Sequence, residues 1–185
     1  MSAPSASGPA GKERQGGLVE GEPGLGKRTC QKGGEAVGPN PTDRGKPGSK
    51  HHLLTDGNGI PLAMVLTAAN VHDSKVFEEL VDAVETIKCP VGRPRKRPEK
   101  LHADKAYDAK KCRKALRKRS IKSRIARKGK ETSERLGRHR WVVERTLAWL
   151  FRYRRLLVRY ERRADIHEAL LRLGCSLICL KYLLS

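Results

Sequence analysis

The stretch KHHLLTDGNGIPLAMVLTA, Lys50 to Ala68, constrains the fold more than any other. Two apolar runs, KHHLLT and IPLAMVLTA, flank Asp56-Gly57-Asn58-Gly59, and a glycine-rich turn between such runs predicts a pair of strands. Downstream, ANVHDSK offers Asp73 or Ser74 as the cap of a helix through VFEELVDAVETI. GRPRKRPEK, Gly92 to Lys100, reads as a basic loop, and KLHAD as a short strand ending on Asp104. AYDAKKCRKALRKRS predicts a basic helix with Cys112, Ala115 and Leu116 as its apolar stripe, and SRIAR another short strand. A helix is expected from about Arg138 to roughly Tyr160. In the last helix Ile166, Leu170, Leu173, Leu177, Leu180 and Leu184 alternate steps of four and three, which builds one continuous apolar face. Hairpin, helix, strand, helix, strand, helix, helix is the order of an α/β chain with strands early and helices late.

Ahead of the hairpin the chain reads differently. Met1 to about Gln31 is rich in Gly, Ser, Pro and Ala without apolar periodicity, which predicts a disordered or loosely held N-terminus. Gly38 to Gly48, GPNPTDRGKPG, continues as loop. The net charge of +20 is unevenly spread: Lys88 to Arg163 holds 29 Lys and Arg against 7 Asp and Glu, and the rest holds 11 against 13. A segment this basic repels itself unless a polyanion is near, and nucleic acid is the commonest such partner. An anionic membrane surface is the alternative, but no apolar run is long enough to span a bilayer. Met1 to Ala10 has no signal-peptide pattern. The cysteines, Cys30, Cys89, Cys112, Cys175 and Cys179, form no CxxC pair and are odd in number. Cys175 and Cys179, one helical turn apart, read as reduced core thiols, so a cytoplasmic protein is expected. A zinc site of Cys30, His51, His52 and Cys89 has suitable residue types but matches no usual zinc spacing.

Two acids stand out. Alternation along LHAD sends Leu101 and Ala103 one way and His102 and Asp104 the other, so Asp104 sits at a strand end, where a strand can fix a carboxylate at a rim. The competing reading is a cap, or a pair with Lys105. In GRHRWVVERTLAWLFRYRR, Glu144 is the one acid among arginines. Arg140, four residues earlier, can pair with it for about 0.3–0.5 kcal/mol at the surface. Alternatively, an acid on a helix face shared with Ala148, Phe151 and Arg155, and flanked by Trp141 and Trp149, suits a metal-bound phosphate beside a stacking surface. Two carboxylates from a strand end and a later helix are the least that can hold Mg²⁺, and phosphodiester chemistry normally needs a third.

The runs GEAVGPNPTDRGKPGSKHHLLTDGNGIPLA, LTAANVHDS, LHADKAYD and GRHRWVVERTLAWLFRYRRLLVRYERRADIHEALL resemble the catalytic domain of a bacterial insertion-sequence transposase of the insertion-sequence-five group, from about Lys32 to Leu184. The resemblance implies an RNase H-like fold, a DDE active site, Mg²⁺ with Mn²⁺ as substitute, and double-stranded DNA as partner, at insertion-sequence ends and target, with a homo-oligomer assembled on that DNA. It makes Asp104 the second catalytic acid and Glu144 the third, both of them metal ligands. Arg140, Arg152, Arg155, Trp141 and Lys105 are the expected DNA contacts, with Arg140 matching the family's arginine four before the glutamate. Gly137 and Phe151 depart from it, standing where a tyrosine and a basic residue are usual, and Arg152 and Arg155 are candidates to replace the missing base. Asp56 and Asp73 read as a turn residue and a helix cap.

The family's first catalytic Asp precedes this run on a strand, and no Asp occurs before Asp43. Glu20 and Glu22 are the acids within reach, set among Gly and Pro. The expectation is therefore a partial RNase H-like fold. Residues 1–31 are a disordered, out-of-frame or foreign segment, and 32–185 a catalytic domain lacking its first strand, with a hairpin edge left unpaired and weak stability. A ribosomal frameshift that supplies the missing part is the alternative origin. DNA transposition is the implied function, inactive in this copy, and a basic DNA-binding remnant without catalysis is the alternative.

Overall fold

The computed structural model describes residues 15–20, 27–86, 96–127 and 137–184, with side chains for 30–86, 96–127 and 141–184. In chain order the strands and helices are β1 (Gln15–Glu20), β2 (Lys27–Thr29), β3 (Gly38–Pro39), β4 (Pro47–Thr55), β5 (Pro61–Ala68), α1 (Asp73–Asp82), β6 (Lys100–Ala103), α2 (Lys110–Lys118), β7 (Lys122–Ile125), α3 (Gly137–Leu150), α4 (Arg154–Leu157) and α5 (Ala164–Leu184). A single 3₁₀ turn, Lys105–Tyr107, follows β6.

The predicted hairpin is the antiparallel pair β4–β5, with Ser49 opposite Ala68 and Leu54 opposite Ala63. Asp56 closes its turn, the Oδ1 atom accepting from the backbone N–H of Asn58 at 2.9 Å and of Ile60 at 2.8 Å. On its other edge β4 pairs antiparallel with β1, β1 lies parallel to β6, and β6 parallel to β7. The sheet therefore runs β5–β4–β1–β6–β7, with β2 and β3 added along β4.

Position β1 corrects the expectation that the chain before Lys32 forms no strand and that the hairpin edge stands unpaired. Gln15–Glu20 fills the middle of the sheet. The reason is non-local. Only Leu18 and Val19 in QGGLVE favour a strand, but β4 and β6 leave a slot whose backbone groups need partners on both sides. Residues 1–14 and 21–26 lie outside the described residues, and so does the predicted basic loop up to residue 95.

Neighbouring residues of β4 divide the core. Leu54 points into a cluster with Phe77, Leu80 and Val81 of α1, Leu101 and Ala103 of β6, and Cys112, Ala115 and Leu116 of α2, the stripe the sequence predicts. Leu53 points to the opposite face, into Val143, Leu147 and Leu150 of α3 and Leu171 and Ile178 of α5. The architecture is an α/β sandwich with a mixed sheet between two helical layers.

Three local readings need correction. The cap of α1 is His72, whose Nδ1 accepts from Ser74 N–H, and neither Asp73 nor Ser74 caps it. Asp73 is instead buried and ion-paired, Lys50 Nζ donating to its Oδ1 at 2.8 Å. The helix expected to reach Tyr160 ends at Leu150, turns at 151–153 and resumes as α4. Packing overrides helical continuity: α4 folds back over α5 at Gly174, where a Cβ would stand 2.9 Å from Leu156 Cδ1 and 3.1 Å from Leu150 Cδ2. The stripe Ile166, Leu173, Leu177, Leu180 and Leu184 of α5 does not face this chain's core. Those residues are exposed, and Leu171, Gly174 and Ile178 face inward instead.

Candidate active site

Leu101 and Ala103 are buried under α1 and α2, so alternation sends His102 and then Asp104 toward the opposite face of the sheet. That is the face on which α3 packs against β1 and β4. Half-buried Asp104 accepts the backbone N–H of Lys105 at 2.7 Å and caps the 3₁₀ turn, so the capping reading describes its local bonding. The turn is held in place on several sides. The Tyr107 ring is buried 5.5 Å from Phe77, and Arg113 grips Asp108 with Nε at 3.1 Å and Nη2 at 2.7 Å while also donating to Ile125 O.

Glu144 lies one residue from the packed stripe of Val143, Leu147 and Leu150 and is half-buried. The hairpin turn sets the height of α3. Thr146 Oγ1 donates to Gly59 O at 2.7 Å, and Arg145 Nη2 donates to Asn58 O at 2.6 Å. Gly59 has φ of +89°, and a Cβ there would meet Thr146 Oγ1 at 2.8 Å, so both conformation and approach require glycine. Tyr182 of α5 donates to the same Asn58 carbonyl at 2.6 Å. The turn that the sequence marks so strongly thus locates the helix carrying Glu144.

The expected DNA contacts divide. Trp141 is exposed, and Arg145 stacks between it and Trp149, with the guanidinium carbon 4.5 and 4.8 Å from the two rings. The sequence expectation does not include Arg145, although the four-residue steps 141, 145 and 149 place the three on one helix face. Arg152 is exposed in the turn after α3, and Lys105 is half-buried in the 3₁₀ turn. Arg140 belongs to the first turn of α3, and its side chain lies outside those described. Arg155 is placed differently from the sequence expectation, on α4 rather than on the helix of Glu144, where its exposed side chain pairs with buried Glu161 at 2.5 Å. Phe151, also expected on the Glu144 face, is buried in the core.

Histidines on the sheet are structural. His51 and His52 point to opposite faces, which separates two of the residues considered for zinc. His51 Nε2 lies 3.0 Å from His167 Nε2, and His167 Nδ1 lies 3.0 Å from Glu161 Oε2. With Nδ1–H donated to the carboxylate, His167 Nε2 accepts from His51, tying α5 to β4. His52 bonds Thr67 Oγ1 at 2.9 Å and approaches Tyr107 Oη at 3.5 Å. Cys30 donates to Gly33 O at 3.4 Å, and Cys89 lies outside the described residues. Among the described residues no group of three His, Cys, Asp or Glu is arranged around a metal position, and no helix is long and apolar enough to cross a membrane.

Burial pushes the His52 pKa from 6.5 down to about 4, with Asp73 pulling it up and Lys50 pushing it further down. The unfolded imidazole takes its proton near pH 6.5 and the folded one only near 4, so the unfolded state binds more protons in that window. Stability is therefore present above pH 6.5 and lost as pH falls to about 4, by about 3 kcal/mol for this group. His167, lowered first by burial, acts in the same direction. Urea unfolding at pH 7 and pH 4.5 checks this, and His52→Gln is expected to flatten the difference.

The family described as Transposase DDE domain matches residues 24–179, beginning upstream of Lys32, where the resemblance of the quoted runs begins. A curated protein of Burkholderia cepacia, named as a transposase for insertion sequence element IS402, is 54% identical over 143 residues, covering 77% of this chain and 68% of that protein. With most of the chain matched on both counts, this protein belongs to the DDE transposase family of insertion sequences.

Proposed function

We propose that the chain is the RNase H-like catalytic domain of a transposase acting on the DNA of insertion-sequence ends, with Asp104 and Glu144 as its second and third acids. The observation that carries this reading is that both acids, distant in sequence, belong to the α3 side of one sheet, one at the end of β6 and one on α3. Both offer the hard carboxylate oxygens that Mg²⁺ or Mn²⁺ takes, and both are half-buried at a rim where waters or phosphate can complete the shell. Bound there, such an ion would activate a hydroxyl and stabilise a departing phosphate oxygen. Asp104 would hold its carboxylate in a direction set by the 3₁₀ turn. Arg145 between its tryptophans, with Arg152, would meet the DNA backbone, and Trp141 offers a stacking face.

Catalysis in this copy is proposed to be impaired, because β1 carries no Asp. Leu18 pairs with Ala103, so Val19 follows beside Asp104 where a third acid would be needed, and Glu20 pairs instead with His52. That same observation favours the second reading, a DNA-binding chain with little or no cleavage.

Gel-shift binding and nicking of supercoiled plasmid in Mg²⁺, on the protein and on Asp104→Ala and Glu144→Ala, separate the two. Residual nicking lost in both variants, with binding unchanged, supports catalysis. No nicking at all supports the binding reading. Binding should weaken steeply between 50 and 200 mM salt, by about 10³-fold for six phosphate contacts. Binding indifferent to salt contradicts both.

A further inference from the structure

We propose that α5 is the dimerisation helix of this protein and that its outer apolar stripe packs on the same stripe of a second copy. The helix carries two apolar faces. Leu171, Gly174 and Ile178 are buried against this chain's own core, together with His167. About 120° around the helix, at 100° per residue, lies the second face: Ile166, Leu173, Leu177, Leu180 and Leu184, with Leu183 at its border. These residues are 40–82% exposed. The helix needs only its first face to fold onto the sheet, and among the described residues nothing covers the second.

Its spacing points to the partner. The exposed residues Ile166, Leu173, Leu177, Leu180 and Leu184 are spaced seven, four, three and four apart, which fits the 3.5-residue period of a seam between helices. Half-buried Leu170 lies at the flank, packed on this chain's own core. A two-fold axis would set each stripe against an identical one. The exposed apolar area of roughly 600 Å² reaches the upper end of what a monomer leaves open, and a standard interface takes about 800 Å² from each partner. Beside the stripe, a groove of 690 Å³ between β5 and α5, lined by Leu62, Met64, Leu180 and Leu183, extends the apolar surface.

Charge narrows the choice further. Residues 88–163 carry a large positive excess, yet α5 holds Asp165 and Glu168 against Arg172 and Lys181 and is neutral. Glu168 and Arg172 also neutralise each other at 2.7 Å. Two copies of a chain with net charge +20 can approach through this neutral surface without bringing the basic excess of residues 88–163 together. A nucleic acid would choose the basic segment instead. A membrane surface would choose a helix whose polar face is rich in Lys and Arg.

Sedimentation velocity of the full chain, cleared of nucleic acid with nuclease and high salt, tests the proposal. The expected result is a particle of twice 20.6 kDa. Leu177→Glu combined with Leu180→Glu should shift it to 20.6 kDa with unchanged helix content, self-association weakening at least about tenfold for each leucine. Leu173→Lys, at a residue 57% exposed and therefore tolerant of charge in the folded monomer, should do the same if the double variant fails to fold. A wild-type protein sedimenting as a monomer overturns the proposal, whether the stripe stays bare or another part of the same chain covers it. So does a dimer that survives Leu173→Lys and the double substitution, since its interface would lie elsewhere.

Discussion

Replacing Arg159 with alanine is expected to cost the fold about 4 kcal/mol, among the largest effects of any single substitution here. Arg159 is fully buried between the loop around Glu35 and the start of α5. Its Nη1 donates to Ser49 Oγ at 2.6 Å and Ala36 O at 3.3 Å, its Nη2 to Glu35 O at 2.7 Å, and its Nε to Glu161 O at 2.9 Å. Truncation leaves several buried acceptors without a donor and opens a cavity, and each orphaned group alone costs about 1–3 kcal/mol. Backbone bonds of the same region, Gln31 N–H to Arg159 O and Glu35 N–H to Arg162 O, would loosen with it. Gly34 presses on this segment closely enough that a Cβ would meet Arg162 O, so the contact has no room to re-form elsewhere. Equilibrium urea unfolding of Arg159→Ala and Arg159→Lys checks it. Lysine keeps the charge but lacks the fork, and is expected to recover only part of the loss.

The second large effect is a gain. Val19→Asp is expected to raise Mg²⁺-dependent plasmid nicking by about 100-fold or more over the starting protein, the scale of a catalytic group restored to a preorganised site. β1 and β6 are parallel neighbours with Leu18 opposite Ala103, so position 19 follows beside Asp104, and adjacent strands lie only about 4.8 Å apart. Adding Glu144→Gln to Val19→Asp should abolish the gain. Glu20→Ala alone should change nothing, because Glu20 is one residue out of step and pairs across to His52. A folded Val19→Asp protein that nicks no faster than its parent would contradict the assignment of the site.

Legibility from sequence followed the range of the forces involved. The hairpin, β6, β7 and the stripe of α2 are local patterns, and they stand where periodicity and turn chemistry put them. Strand β1 is invisible to the same reasoning because two glycines dilute its pattern, and its place is set by partners some 35 and 85 residues away. The end of α3 at Leu150 is also tertiary, set by α4 closing over Gly174, and that break carries Arg155 away from Glu144 and into the pair with Glu161. The cleanest heptad in the chain misleads in another way. Periodicity identifies an apolar face but not what covers it, and the inward face of α5 contains a glycine and a histidine that pattern reading passes over. Asp104 is legible as an acid at a strand end and Glu144 as the one acid among arginines, and the family resemblance is what joins the two in one site. The convergence of their elements on one side of the sheet is a property of topology that spacing alone does not express.

Under the proposed function Asp104 and Glu144 would hold one divalent ion. Mn²⁺ binding followed by electron paramagnetic resonance, on the protein and on Asp104→Asn and Glu144→Gln, tests it without requiring turnover. One weak site should appear in the parent, weaken at least about tenfold in either variant, and tighten in Val19→Asp as a third oxygen ligand joins. Binding that is the same in the parent, Asp104→Asn and Glu144→Gln would mean that these two carboxylates do not share an ion.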